Sequence, residues 1–556
     1  MAVNQNSSIG SFFSFLFAKS KFQISGFTLC LMFSVILIGF YNPSLWAYLD
    51  KTIMGTEIGH IGFIASFFAV LVILLNFVLT LCFFRGLQKS VMILLLFLSA
   101  GASYYMTYYG IVIDKSMIQN VAETDFHEAR ETVNSGFFLH LLLLGVLPSL
   151  IILKVTIKPR PLSSKLLSTF IISLSSLVLL VGILLPQYKD FSSFTRNHRD
   201  VRYRIIPTNV IYYGIKYLVG EGNAHQIEVK PLGTDAKLTS QWDNIDKPVV
   251  MVLVLGETAR AHNFSLDGYT RSTNPELTKQ DIVYFDNVSS CGTSTAISVP
   301  CMFSVLNRDD YSLKEARSNE NILDVFKHAG FNVIWLDNNS GCKGVCSRVT
   351  TKMSSEFSDP KWCEDGRCHD EVLLPEMSLY LQQNPSDKTL IVLHQLGSHG
   401  PTYWKRYPEK FKRFTPVCES SDLSECSPEE ITNAYDNTIL YTDHFLSQLI
   451  DYLKVKNNID SGMLYISDHG ESLGENGIYL HGLPYFMAPD YQTHIPMLTW
   501  FSEGFKHDFG ININCLKQSS ERSLSQDNLF HSLLGLLQVK TLVYQPKLDL
   551  FKDCQK

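Results

Sequence analysis

Five stretches of the chain are apolar over about 20 residues, the length a helix needs to cross the hydrocarbon core of a bilayer. They run at about 23–43, 61–84, 90–109, 137–155 and 166–186, and Leu141-Leu142-Leu143-Leu144 shows how few polar residues interrupt them. A buried core helix is the alternative for any one of them; five in succession predict membrane spans. No small-residue cleavage site separates the first stretch from the second, so a cleaved leader is a poor reading of it.

After about residue 190 the pattern changes. Residues 190–222 are rich in Tyr and Arg, which suits a connector lying along the membrane interface or an ordinary surface linker, and 225–243 reads as a loose lead-in. Then come short apolar runs at 248–257, 331–337, 389–395 and 462–470, continuous rather than alternating, as in strands buried on both faces. Helical patterns at about 321–329, 371–383 and 428–454 alternate with them. Strand and helix in alternation predict an α/β domain with a mainly parallel sheet between helices. The expected layout is a transmembrane domain over 1–189 with five helices and a loop helix at about 114–131, an interfacial linker over 190–243, and the α/β domain over 244–556.

Charge orients this layout. The chain has 556 residues, 18% of them charged, with 47 Lys+Arg against 53 Asp+Glu and no long run of like charge, which argues against a dedicated nucleic-acid binder. Lys19 and Lys21 precede the first span; Arg85 and Lys89 lie between spans two and three, and Lys154, Lys158, Arg160 and Lys165 between four and five. Short basic loops face the cytoplasm. The loop after span three is acidic (Asp114, Glu123, Asp125, Glu128, Glu131), and an odd number of spans places everything after about 190 on the far side. Of the 12 cysteines, Cys30 and Cys82 sit inside spans as small apolar residues. Eight others form close pairs, Cys291 with Cys301, Cys342 with Cys346, Cys363 with Cys368 and Cys418 with Cys426. Their irregular spacing favours disulfides in an oxidising compartment over zinc ribbons. Cys515 with Cys554 is a candidate fifth bond.

In open α/β sheets ligands bind beyond the carboxyl ends of the strands. Each predicted strand ends in polar residues: Glu257 after the first, Asp337 to Asn339 after the second, His394 and His399 after the third, Asp468 and His469 after the fourth, with His481 further on. Singly, Glu257 could be a capping carboxylate and His394 a satisfied core histidine. Together they point to a metal site, and two carboxylates with an imidazole suit zinc or manganese. The segment 289–306 adds Thr and Ser just before an apolar run, so that a hydroxyl can sit at a helix N-terminus, where negative charge is favoured. A threonine hydroxyl is a weak nucleophile until a metal such as zinc activates it.

The runs GETARAHNFSLDGYTRSTNP (256–275), SSCGTSTAISVPCMFS (289–304), DNNSGCKG (337–344), GSHGP (397–401), SDHGESLGENGIYLHGLPY (467–485) and QDNLFHSLLG (526–535) closely resemble the lipid A phosphoethanolamine transferases, which include the mobile colistin-resistance enzymes. The resemblance covers nearly the whole chain. It implies five spans in the bacterial inner membrane followed by a periplasmic domain of alkaline-phosphatase/sulfatase type. By position it implies Thr295 as the nucleophile, Glu257, Asp468 and His469 as ligands that hold a catalytic zinc with Thr295, and His399 and His481 near a second zinc or the substrate phosphate. Asn339 and Lys343 match head-group contacts. Asn120, Thr124 and Glu128, at i, i+4 and i+8 of the loop after span three, lie on one face of an expected helix, and Glu128 could meet the ethanolamine ammonium.

The expected reaction has two steps. Thr295 takes phosphoethanolamine from phosphatidylethanolamine, releasing diacylglycerol, and a phosphate of lipid A then takes it from Thr295, with His399 or His481 assisting proton transfer. The product surface carries less negative charge and binds fewer polymyxins and other cationic peptides. A monomer among inner-membrane lipids is expected. Another lipopolysaccharide phosphate, a membrane oligosaccharide or a glycerol-phosphate polymer is the alternative acceptor, and a signalling or transport protein with a structural metal is the rival of another class. Almost no intramembrane charge supports that last reading.

Overall fold

The computed structural model describes residues 23–54, 60–81, 87–124, 126–159, 161–224, 228–357, 359–364 and 367–556. Lys19, Lys21, Cys82, Arg85, Asp125 and Arg160 lie outside them. The chain folds as two compact units, Met1–Lys115 with Val133–Lys216, and Ser116–Thr132 with Tyr217–Lys556.

The helices of the first half are α1 (Gly26–Phe40), α2 (Pro43–Ile53), α3 (His60–Leu81), α4 (Gln88–Tyr108), α5 (Lys115–Glu123), α6 (Phe126–Thr132), α7 (Ser135–Lys154), α8 (Leu162–Leu184), α9 (Tyr188–Asn197) and α10 (Thr208–Ala224). Of these, α3, α4, α7 and α8 are each long and apolar enough to cross a membrane. Their outward surfaces stay apolar, as with Leu166, Phe170, Leu174 and Leu177 of α8, which is what lipid contact requires.

The expected first span differs from the other four. Helix α1 has 15 residues, about 22 Å of helix against a hydrocarbon core of about 30 Å. It then bends by 61° into α2, so a fifth span exists only if the bent pair is counted as one. The cause lies in Asn42-Pro43. Asn42 Nδ2 donates to the carbonyls of Leu37 and Ile38 (3.2 Å each), consuming the C-terminal acceptors of α1. Pro43 opens α2, where its missing N–H costs nothing. A second proline is accommodated inside α7: Pro148 cannot donate a backbone hydrogen bond, and the Tyr41 hydroxyl donates to the carbonyl four residues before it, Leu144.

The second unit is built on a seven-stranded sheet whose strands, in chain order, are β1 (Val249–Gly256), β2 (Val283–Phe285), β3 (Asn332–Asp337), β4 (Thr350–Met353), β5 (Lys388–His394), β6 (Asp460–Ser467) and β7 (Met497–Phe501). Their spatial order is β2-β7-β6-β1-β5-β3-β4. Four of the six pairings are parallel; only β7, paired with β6 and β2, runs against its neighbours. The four apolar runs of the sequence are the adjacent central strands β6, β1, β5 and β3. Every residue of β1 is buried, which explains a pattern with no alternation.

The unit also holds helices α11 (Thr295–Met302), α12 (Ile322–His328), α13 (Leu373–Gln383), α14 (Pro428–Lys454) and α15 (Asp527–Leu536), with several shorter ones. Val249, Met251, Leu253 and Leu255 of β1 share one core with Phe326 of α12, Met302 of α11 and Leu529 and Leu533 of α15. The parallel register pairs Leu255 with both His394 and Ile466, and His394 with Asp337. The carboxyl ends of four strands therefore finish level, and the residues that come after them are delivered to one edge.

All four expected disulfides form, and Cys515 bonds Cys554 as a fifth; Cys30 is buried and unbonded. The Cys515–Cys554 bond spans 39 residues, a closure worth about 3–4 kcal/mol against the unfolded chain. Replacing both cysteines by serine should lower the thermal midpoint of the oxidised protein in detergent by several degrees; an unchanged midpoint would contradict this bond.

Candidate active site

Glu257 follows β1, and Asp468 and His469 follow β6, at paired ends of adjacent strands. All three side chains are fully buried, and one ligand atom from each lies within 4.8 Å of the others. Asp468 Oδ1 accepts from the N–H groups of Thr258 (3.1 Å) and His469 (2.7 Å). His469 Nδ1 lies 2.9 Å from the Gly470 carbonyl. A carbonyl only accepts, so Nδ1 carries the hydrogen and the Nε2 lone pair faces inward.

Nε2 lies 3.4 Å from Glu257 Oε1 and 3.3 Å from Asp468 Oδ2. These separations are long for hydrogen bonds, and neither Asp468 Oδ2 nor His469 Nε2 has a hydrogen-bond partner. Two buried acceptors without a donor thus converge beside the Glu257 carboxylate. Burial, reinforced by Glu257, pushes Asp468 well above the usual carboxylate range. Burial also opposes ionisation of Glu257, but the surrounding histidines, His469 foremost, hold it low. Burial, with repulsion from His481, pushes His469 down to about 3. A divalent cation is the group that such a donor set fits, because it satisfies all three acceptors at once.

Thr295 completes the cluster. It is the first residue of α11, after the extended Ser294, and its Oγ1 donates to Glu257, 3.0 Å from Oε2 and 3.2 Å from Oε1. Its hydroxylated neighbours are directed elsewhere: Thr293 Oγ1 donates to the Leu483 carbonyl (2.5 Å), and Ser294 Oγ is buried without a partner. The Cys291–Cys301 bond staples the loop. Gln526 ties it to the ligand strand: its Oε1 accepts from Cys291 N (2.7 Å), while Nε2 donates to the carbonyls of Ser467 (2.8 Å) and Asp468 (2.7 Å). Behind Glu257, Gly397 has φ +56°, and a side chain there would meet the Glu257 carbonyl at 2.6 Å.

The remaining candidates fall into distinct roles. His394 is fully buried with Nδ1 3.0 Å from Asp337, a satisfied core histidine. Asn339 spends its amide hydrogens on Glu257 Oε2 and the Gln395 carbonyl, 2.8 Å each, so it orients a ligand. His399 Nε2 sits 3.0 Å from Glu128 Oε1, and the rings of His399 and His481 are 5.3 Å apart. Burial opposes both charges of this pair, yet their attraction raises His399 to about 9 and lowers Glu128 to about 2. His481 Nδ1 donates to Glu471 Oε2 (2.7 Å), and Glu471 Oε1 accepts from the Tyr403 hydroxyl (2.7 Å).

The loop after α4 departs from the single helix expected there. Helix α5 ends at Glu123 and α6 begins at Phe126, so Asn120, Thr124 and Glu128 do not lie on one helix; the Thr124 hydroxyl donates to the Asn120 carbonyl (2.7 Å). The segment is held to the second unit by acidic side chains: Glu123 accepts from Arg317 (2.8 Å), and Glu131 accepts from Arg367 and Arg406. Lys343 Nζ donates to Ser340 Oγ (3.0 Å) and reaches the Glu123 carbonyl at 3.4 Å. Glu128, Asn339, Ser340, Arg367, His399 and Arg406 line one cavity.

Gln526, Glu471 and Tyr403 were missed from sequence. Glu471 was within reach, two residues beyond His469 in SDHGE; Gln526 opens QDNLF, but nothing in its spacing marks a side chain that braces two loops.

Residues 250–539 match the family model described as Sulfatase, and residues 71–221 match the model described as Phosphoethanolamine transferase EptA/EptB. The chain is 42% identical to phosphoethanolamine transferase EptA of Escherichia coli K12 over 487 residues, covering 87% of this chain and 88% of that protein. It is 37% identical to phosphatidylethanolamine transferase Mcr-1 of Escherichia coli, covering 86% and 90%. The solved integral membrane lipooligosaccharide phosphoethanolamine transferase A of Neisseria meningitidis is similar with a TM-score of 0.92 at 36% identity, covering 96% of this chain and all of that one. At this identity and coverage, the chain belongs to the EptA/EptB family of phosphoethanolamine transferases.

Proposed function

We propose that this chain is a zinc-dependent enzyme of the bacterial inner membrane that transfers phosphoethanolamine from phosphatidylethanolamine to a phosphate of lipid A. The observation that carries the reading is the Thr295 hydroxyl, 3.0 Å from Glu257, directed into the cluster of buried acceptors. In the proposed layout residues 1–189 anchor the chain, 190–243 lie at the interface and 244–556 catalyse in the periplasm, where five disulfides persist.

Zinc suits the donors. Ligands about 2.0–2.1 Å from a tetrahedral zinc lie roughly 3.3–3.4 Å from one another, which matches the 3.3 and 3.4 Å separations of His469 Nε2 from Asp468 and Glu257. A zinc ion held by Glu257, Asp468 and His469 beside Thr295 would supply Lewis acidity, lowering the pKa of the hydroxyl and neutralising charge on phosphoryl oxygens.

The chain's own residues then account for two displacements. Thr295 Oγ1 bonds to the phosphorus of the donor as the bond from phosphorus to the diacylglycerol oxygen breaks, and that oxygen takes a proton. His399, paired at Nε2 with Glu128, is placed to hold one. Glu128 faces the cavity with a carboxylate suited to the ethanolamine ammonium, and Lys343 and the two histidines suit its phosphate. A lipid A phosphate oxygen next bonds to phosphorus, and the Thr295 Oγ1–phosphorus bond breaks, restoring the hydroxyl. His481, with Nδ1 fixed by Glu471, keeps Nε2 for the second proton transfer. The product carries an ammonium beside a phosphate, which weakens binding of polymyxins.

Expression in a polymyxin-sensitive strain should add phosphoethanolamine to lipid A by mass spectrometry and raise growth in polymyxin; the Glu257→Gln variant should do neither. Unmodified lipid A alongside a modified glycan would redirect the acceptor. Asn339→Ala should weaken zinc retention or activity about 10- to 100-fold, as loss of a group that orients a ligand does. Chelation should abolish transfer and added zinc restore it, and full turnover in demetallated protein would contradict the mechanism.

A further inference from the structure

A second cluster of ligating side chains lies outside the Thr295 centre, and nothing in the proposed reaction uses it. His262 sits in the 3-10 turn Ala261–Asn263, Asp490 opens the short helix Asp490–Thr493, and His494 comes directly after that helix. One ligand atom from each of the three lies within 4.8 Å of the others. The backbone fixes this juxtaposition, since Ala261 N donates to the His494 carbonyl at 3.1 Å and Ser290 N to that of Thr493 at 2.8 Å.

The partner of His494 sets its protonation. His494 Nε2 is 2.7 Å from the Asp286 carbonyl, which accepts only, so Nε2 carries the hydrogen. Nδ1 is then the ring nitrogen turned to Asp490 Oδ2, 4.0 Å away. A histidine that gives one N–H to a carbonyl and presents the other nitrogen to a carboxylate has the orientation of a metal ligand. His262 Nε2 lies 3.4 Å from the same Oδ2, long for a hydrogen bond and equal to the separation of neighbouring ligands on a tetrahedral zinc, roughly 3.3–3.4 Å.

We propose that His262, Asp490 and His494 bind a second divalent cation of zinc type, with two imidazoles, one carboxylate and an open position for water. The remaining cysteine-containing cluster of this kind among the described residues, Cys291, Cys301 and Asp527, is closed to a metal by the disulfide. The site clips the turn that comes after β1 to the segment that precedes β7. It adds a structural cation to the fold and takes no part in phosphoryl transfer, since none of its three residues serves the proposed reaction.

Zinc content and cobalt spectroscopy on the full chain in detergent test this site. After equilibration with zinc and removal of the free ion, the unsubstituted protein should hold one equivalent more than His262→Ala and one more than Asp490→Asn. Asp490 has a side chain 72% exposed, so its conservative replacement leaves the fold intact. In a Glu257→Gln background, where the catalytic centre is disabled, added cobalt should still give the visible absorption of a low-coordinate site with nitrogen and oxygen ligands, and adding His262→Ala should remove it. His262→Ala and Asp490→Asn should each modify lipid A within about 2-fold of the unsubstituted protein. Equal zinc content in all three proteins, or a cobalt spectrum that survives His262→Ala, would overturn the proposal.

Discussion

Two carboxylates and an imidazole, all excluded from water and all presenting lone pairs to the same point, repel one another unless something positive stands between them. Glu257, Asp468 and His469 are in that position, and much of the second unit serves to keep them there. The central strands supply the level edge. Asn339 holds the Glu257 side chain and the Ser398 N–H its carbonyl, the N–H groups of Thr258 and His469 hold Asp468, and the Gly470 carbonyl fixes the tautomer of His469. The energy stored in this convergence is returned when a cation binds, so folding and metal binding are coupled in the same residues.

Chemistry at the site depends on which hydroxyl reaches that cluster. Three hydroxylated residues occur in succession, yet only Thr295 turns to Glu257; Thr293 is committed to Leu483. The stapled loop and Gln526 prevent these from exchanging places. Beside it, the segment carrying Glu123, Glu128 and Glu131 contributes three acidic side chains to partners of the second unit, so a stretch between two apolar helices becomes part of the wall of the site.

The strands and their chemistry were legible because burial on both faces leaves a simple mark: continuous Val and Leu, then an abrupt polar residue. Glu257, Asp468 and His469 could be read in this way. The helix boundary near Asn42 could not, since an apolar count ignores a proline that opens a new helix. His394 shows the opposite limit, for its position after a strand resembles that of a ligand, and only its contact with Asp337 assigns it to the core. Gln526 was invisible because it braces two segments distant in sequence, and such long-range contacts leave no local pattern.

The central claim is that Thr295 is the residue that carries the transferred group. Protein incubated with phosphatidylethanolamine and no acceptor, then digested and analysed by mass spectrometry, should carry one phosphoethanolamine on the peptide between Cys291 and Cys301, mapped to Thr295 and absent from Thr295→Ala. An adduct on Thr293, or substantial lipid A modification by Thr295→Ala, would contradict the account.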